Sequence, residues 1–238
     1  KPSDYFNTKL YTGTGSSHAV SGIGFQPDWV WIKCRDDSHN HQVFDSVRGV
    51  HNRMRTDTDG AETSSSESLK SFDSDGFTLG TQANVNASAS GDNSFVAWNW
   101  LAGGSASSNS NGSITSSVSA NTTAGFSIVS YTGTGSNATI GHGLGSTPNV
   151  IIWKKRSDTG VWRFWHHSVP LSGGEFQQGT LDSTDAFAAF GGTNVMNGTA
   201  PTSTVFSLDT ADYNDSSSTY ISYCFAEKQG YSKFGSYT

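Results

Sequence analysis

The pentapeptide Tyr11-Thr-Gly-Thr-Gly15 recurs unchanged as Tyr131-Thr-Gly-Thr-Gly135, and the recurrence does not stop there. Phe6 has a counterpart in Phe126, upstream by the same step. Downstream, Gln26-Pro27-Asp28-Trp29-Val30-Trp31-Ile32-Lys33 parallels Thr147-Pro148-Asn149-Val150-Ile151-Ile152-Trp153-Lys154. Phe77-Thr78-Leu79 parallels Phe206-Ser207-Leu208, and Phe95–Trp100 parallels Tyr220–Phe225. The blocks keep their order, and their spacing widens slowly. A period of this kind predicts one structural unit written twice, so any fold must close two similar cores. We expect a first repeat over 1–104, a Gly/Ser/Asn-rich linker over 105–113 and a second repeat over 114–238. The end of the chain, Gly235-Ser-Tyr237-Thr238, looks like the start of a further block. That suggests a longer multi-repeat or oligomeric parent, and the absence of a starting Met reads as processing.

Within each copy, short runs of β-branched and aromatic residues alternate with Gly, Asn, Asp and Ser clusters. No long segment carries a helical apolar period. The pattern predicts strands and turns. Strands are expected in copy 1 at Phe6–Thr12, Trp29–Lys33, His41–Asp45, Gly76–Leu79 and Ser94–Leu101. In copy 2 they are expected at Gly125–Thr132, Asn149–Lys155, Val161–His166, Phe187–Phe190, Thr204–Leu208 and Thr219–Glu227. Trp29–Lys33 and Val150–Trp153 are apolar on both parities, as in central strands covered on two sides. In the last strand the larger side chains, Val96, Trp98 and Trp100, share one parity. Ile221, Tyr223 and Phe225 do the same in copy 2, so this face is expected to be the core. The fold class is all-β: two tandem β-sandwiches of jelly-roll or immunoglobulin-like topology.

Composition narrows the function. Charged residues are 14% of the chain, the formal net charge is −6, and the basic residues are scattered. Nucleic-acid binding would call for a basic stripe. No apolar run is long enough for a transmembrane helix, so membrane insertion is not expected. Cys34 and Cys224 fall in different copies and read as packed thiols, with a bridge between the copies as the alternative. Apolar residues make up 34% of the chain, yet Phe, Trp and Tyr account for 12%. The core is therefore expected to consist of few but large side chains.

The densest chemistry lies in Trp162-Arg163-Phe164-Trp165-His166-His167. Aromatic faces stack on the apolar face of a pyranose, and Arg or His bonds its hydroxyls. Copy 1 places His41 and Arg48 near the equivalent point. The candidate ligand-binding residues are therefore Trp162, Arg163, Trp165, His166, His167, His41 and Arg48, against the plainer alternative of a strand burying its own rings. Adjacent histidines on a strand face opposite ways, so the His166–His167 pair is not expected to hold a metal. Asp57-Thr-Asp59-Gly60 and Asp73-Ser-Asp75-Gly76 read as turns, with a weak structural calcium site as the alternative. No cofactor is expected. The glycine stretches are read as hairpin or loop glycines, because no helix follows them. No catalytic residue is assigned.

Several blocks together resemble a repeat domain of tail-fibre-like and other virion-associated proteins of marine bacteriophages. They include Gly24-Phe-Gln-Pro-Asp-Trp-Val-Trp-Ile-Lys33, Phe44-Asp-Ser-Val-Arg-Gly49, Ser71-Phe-Asp-Ser-Asp-Gly-Phe-Thr-Leu-Gly80 and Val96-Ala-Trp-Asn-Trp100. His51-Asn-Arg-Met-Arg55 departs from the family pattern. The resemblance implies a module at a virion surface or outside a cell, facing a polysaccharide or host-surface glycan. A polysaccharide lyase or glycosidase is the alternative, and a purely structural spacer or oligomerisation unit the third reading.

Overall fold

The computed structural model describes residues 1–189, 195–210 and 213–237. It is nearly all strand, and the longest helix among the described residues has four residues. The chain divides into two compact units. The first comprises Lys1–Asp57 and Glu62–Gly104; the second comprises Thr58–Ala61 and Ser105–Thr238.

The first unit runs β1 (Phe6–Thr12), β2 (His18–Ser21), β3 (Trp29–Cys34), β4 (Gln42–Asp45), β5 (Asn52–Arg53), β6 (Thr63–Ser64), β7 (Leu69–Asp73), β8 (Gly76–Leu79), α1 (Ala83–Asn86) and β9 (Ser94–Trp100). A four-stranded sheet has the order β1-β9-β3-β4, and a three-stranded sheet has the order β2-β8-β7. Both sheets feed one core. Val30, Ile32, Phe44, Phe95 and Ala97 come from the first sheet, and Val20, Leu69, Phe77 and Leu79 from the second.

The second unit runs β10 (Ser107–Asn109), β11 (Ser116–Asn121), β12 (Phe126–Thr132), β13 (Ala138–Gly141), β14 (Val150–Lys155), β15 (Arg163–His166), β16 (Gly179–Thr180), β17 (Val205–Leu208) and β18 (Thr219–Phe225). Its large sheet has the order β10-β11-β12-β18-β14-β15-β16, and β13 pairs with β17. Val129, Tyr131, Ile151, Trp153, Trp165, Tyr220 and Cys224 of the large sheet share a core with Ile140, Phe206 and Leu208 of the small one. Thr58–Ala61 belongs to this unit through Asp59. Its carbonyl accepts from Gly160 N at 2.9 Å and from the fully buried Lys154 Nζ at 3.0 Å. The Lys154 ammonium also donates to the carbonyls of Lys155 and Gly160, and burial pulls its pKa down to about 8.

The Tyr-Thr-Gly-Thr-Gly blocks show why each of their residues is required. Tyr11 stacks on Phe95, its cross-strand neighbour, at 5.2 Å, and its hydroxyl donates to Val85 O. Tyr131 stacks on Tyr220 at 5.3 Å and donates to Tyr213 O. A Cβ on Gly13 would meet Ala87 O at 1.9 Å, and one on Gly133 would meet Asp215 O at 2.4 Å, so only glycine fits. Gly15 and Gly135 have φ of +65° and +72°, in the left-handed region that glycine adopts without penalty. A fully buried asparagine completes each set. Asn86 accepts from Thr14 N and donates to Ser16 O and Gly80 O; Asn214 accepts from Thr134 N and donates to Ser136 O and Asp209 O.

The structure departs from the sequence reading at several points. The interior shared between the sheets takes Phe95 and Ala97, and Tyr220 and Cys224, while Val96, Ile221 and Tyr223 of the expected parity are buried as well. Facing is set by partners across the core, and Phe95 is held inward by its stack on Tyr11. Trp98 and Trp100 remain partly exposed. Ser107–Asn109, read as linker, forms β10 and pairs with β11. Strands β2, β7 and β13 are too short and polar to declare themselves. Of the strand expected at Phe187–Phe190, Phe190 lies outside the described residues; Ala188 makes an isolated bridge to Gln178. The doubly apolar β3 and β14 do lie inside their sheets, between β9 and β4 and between β18 and β15.

Replacing Asn86 or Asn214 by alanine strands three backbone groups, each costing about 1–3 kcal/mol where it stays dry. Each substitution is expected to lower stability by about 3 kcal/mol in total, measured as a reduced urea midpoint. A loss below about 0.5 kcal/mol, the size of an ordinary surface change, would contradict this role.

Candidate functional site

The chemistry-rich stretch of the second unit lies on β15 and the loop before it. Strand alternation splits it in two. Trp165 points into the core, where its ring meets Phe176 edge-on at 6.2 Å. Arg163 shares that parity and sits at the end of the core, directly across from Trp153 of β14. Trp162 is fully buried and stacks on Tyr223 at 6.5 Å. Phe164 packs edge-on against Phe187 at 5.7 Å.

Several expected ligand contacts are therefore internal. Trp162 and the 5% exposed Trp165 offer no face to a sugar, because strand alternation spends both rings on packing. Arg48 is a fold element too. Its guanidinium donates to the carboxylates of Asp45 and Glu62 and to the carbonyls of Val43 and Asn52, and its side chain is fully buried. His41 accepts the Trp31 indole N–H at Nδ1, 2.9 Å away, and burial lowers its pKa. His166 accepts from Ser168 N at Nδ1, and its pKa is lowered by burial and then by the neighbouring His167. His167 bonds Phe234 O at 3.2 Å and Ser168 Oγ at 3.1 Å, so it ties down the final segment. The turn aspartates are satisfied by protein donors. Asp75 accepts from Gly22 N and Gly24 N, Asp73 from Thr78 Oγ1, and Asp57 from Asn40 Nδ2 and His41 N.

Arg163 is the predicted residue that lines an open recess. Around it stand Trp153, Lys155, Thr159, Gly160, Val161, Tyr213 and Asp215, enclosing about 100 Å³. That volume holds about three waters, or the hydroxyl-bearing edge of one sugar ring. Lys155 and Trp153 share a face of β14, and the Tyr213 ring packs on Trp153 at 5.0 Å. Lys155 Nζ donates to Asp215 Oδ2 at 3.0 Å. The Trp153 indole N–H is fully buried and has no hydrogen-bond partner among the described residues. A buried donor left without an acceptor costs free energy. The recess thus combines guanidinium, ammonium and carboxylate, with the buried rings of Trp153 and Tyr213 behind them. Sequence reasoning found Arg163 but missed Trp153, Lys155, Tyr213 and Asp215. The available signal was the cross-strand register, which sets residue 153 opposite residue 163.

Fold and recess together define an all-β protein of two units with a small mixed-charge polar pocket in the second. The family model described as "Domain of unknown function (DUF7483)" matches residues 1–238, and the chain belongs to that family. No curated protein and no solved structure matches it.

Two expectations follow from these placements. Arg48→Met removes the guanidinium that pairs with the buried Asp45 carboxylate, a loss of about 3–5 kcal/mol; a thermal midpoint unchanged from the wild type would contradict the structural assignment. Acidification tests the histidines. His142 accepts from Leu144 N and bonds Thr202 O, and burial lowers its pKa, as it does for His41 and His166. The unfolded chain takes up protons first, near the ordinary value of about 6.5. Their contribution is complete above that pH and lost as the pH falls through the lower folded values. The urea midpoint should drop between pH 7 and pH 5, and less so in His142→Gln; a midpoint that rises on acidification would refute this reading.

Proposed function

We propose that this chain is a carbohydrate-binding module that works outside a cell or on a virion surface, and that its two units are copies of one β-sandwich. The duplication is supported by the matched bonds of Asn86 and Asn214 to their Tyr-Thr-Gly-Thr-Gly segments. A surface role is supported by the low charge, the Ser, Thr, Asn and Gly content and the likeness to virion-associated repeats.

The observation that carries the ligand class is the recess at Arg163. Arg163 and Lys155 offer donors and Asp215 offers acceptor oxygens, with Lys155 and Asp215 bonded to each other. Vicinal hydroxyls of a sugar accept and donate at once, which suits such a mixed set better than it suits a simple anion. The described lining holds one carboxylate, Asp215, whereas most glycosidases need two. Binding is therefore favoured over hydrolysis. A recess this small binds weakly by itself, and repetition along a longer or oligomeric assembly would raise avidity.

On a glycan array, Arg163→Ala and Asp215→Ala should each abolish the wild-type signals while circular dichroism stays unchanged. Retention of the same signals by both variants would remove the recess from consideration. Release of reducing ends or unsaturated sugars from algal polysaccharides would replace binding with catalysis.

A further inference from the structure

The corresponding corner of the first unit carries different chemistry. Ile32 pairs with Gln42 across β3 and β4, as Trp153 pairs with Arg163 across β14 and β15. Beyond these strand ends, the 35–41 loop approaches the loop that precedes β9. Asp37, His39 and Asp92 meet there, with ligand atoms all within 4.8 Å of one another. An ion bonded at about 2.0–2.2 Å holds its ligands at most about 4.4 Å apart. A small swing of the exposed Asp37 closes the set.

His39 supplies the second observation. Its Nε2 lies 2.7 Å from Asp92 Oδ1, yet the two are misaligned for a hydrogen bond. The nitrogen itself is buried, on a side chain that is 24% exposed, and its partner is the ion pair with Asp92. At 2.7 Å the two are closer than the roughly 3.3 Å that separates two ligands of one tetrahedral ion, so an ion would replace this contact by a bond to each. One oxygen of each carboxylate accepts from a neighbouring donor. The Cys34 thiol reaches Asp92 Oδ1 at 3.6 Å, and Ser38 N and Oγ donate to Asp37 Oδ1.

We propose that Asp37, His39 and Asp92 form a divalent transition-metal site in the first unit. One imidazole nitrogen with two carboxylates suits Zn²⁺ or Mn²⁺, whereas Ca²⁺ and Mg²⁺ prefer all-oxygen sets. Three protein ligands leave a position open to water or to a ligand oxygen. The two corners would then be distinct polar sites built on the same strand ends, one through an ion and one through a guanidinium. The proposal does not depend on the sugar-binding reading.

Isothermal titration of the whole chain with ZnCl₂ tests it. One equivalent should bind, and His39→Gln and Asp92→Asn should each weaken binding by more than the roughly 10-fold cost of losing an outer partner. CaCl₂ should give no comparable binding. Absence of zinc binding by the wild type overturns the site, and so does unchanged binding in both variants. If the variants do not fold, the wild type still decides. Zn²⁺ should shift the imidazole nitrogen resonances of His39, and shifts confined to His166 and His167 would overturn the proposal.

Discussion

A buried asparagine side chain in each unit holds the rest of that unit in register. Asn86 bonds the backbone at residues 14, 16 and 80, and Asn214 bonds it at 134, 136 and 209. One amide thus joins three chain segments that are distant in sequence. Sheets alone would leave this junction with unpaired backbone groups, because the segments cross without forming a ladder. With the junction fixed, Tyr11 can stack on Phe95 and Tyr131 on Tyr220, and the larger sheet of each unit shares one interior with the smaller sheet that faces it. The glycines of the repeated pentapeptide serve the same junction, by close approach and by left-handed backbone.

That dependence explains what could be read from the chain. Tyr-Thr-Gly-Thr-Gly is visible because tight geometry tolerates few substitutions. The asparagine that it serves is not visible, because its surroundings differ: Val85-Asn86-Ala87 in one unit and Tyr213-Asn214-Asp215 in the other. The central strands β3 and β14 were legible from unbroken apolar runs. The facing of β9 was not, because bulk on one parity does not say which side the partner sheet occupies, whereas β18 is buried on both faces. Phe95 and Ala97 fill the core, while the larger Trp98 stays partly exposed.

The candidate site was legible to a lesser degree. Concentrated aromatics near Arg163 suggested a sugar platform, but Trp162 and Trp165 are spent on packing. Arg48 is spent on a buried ion network. What remains open is a recess assembled from β14, β15 and the approach to β18, whose members are far apart in sequence. The Asp37, His39 and Asp92 group has the same character. Loops carry the variable chemistry, and strand ends place it. If the units are copies, the two corners show how one scaffold position can diverge towards different ligands.

Amide hydrogen exchange measured by NMR tests the central claim most directly. The account predicts that the amides of Thr14, Gly15, Thr134 and Gly135 exchange as slowly as those of β9 and β18, because opening them requires the junction to break. Exchange at the rate of an unstructured loop at these four positions, with the strands still protected, would show that the units hold together without it.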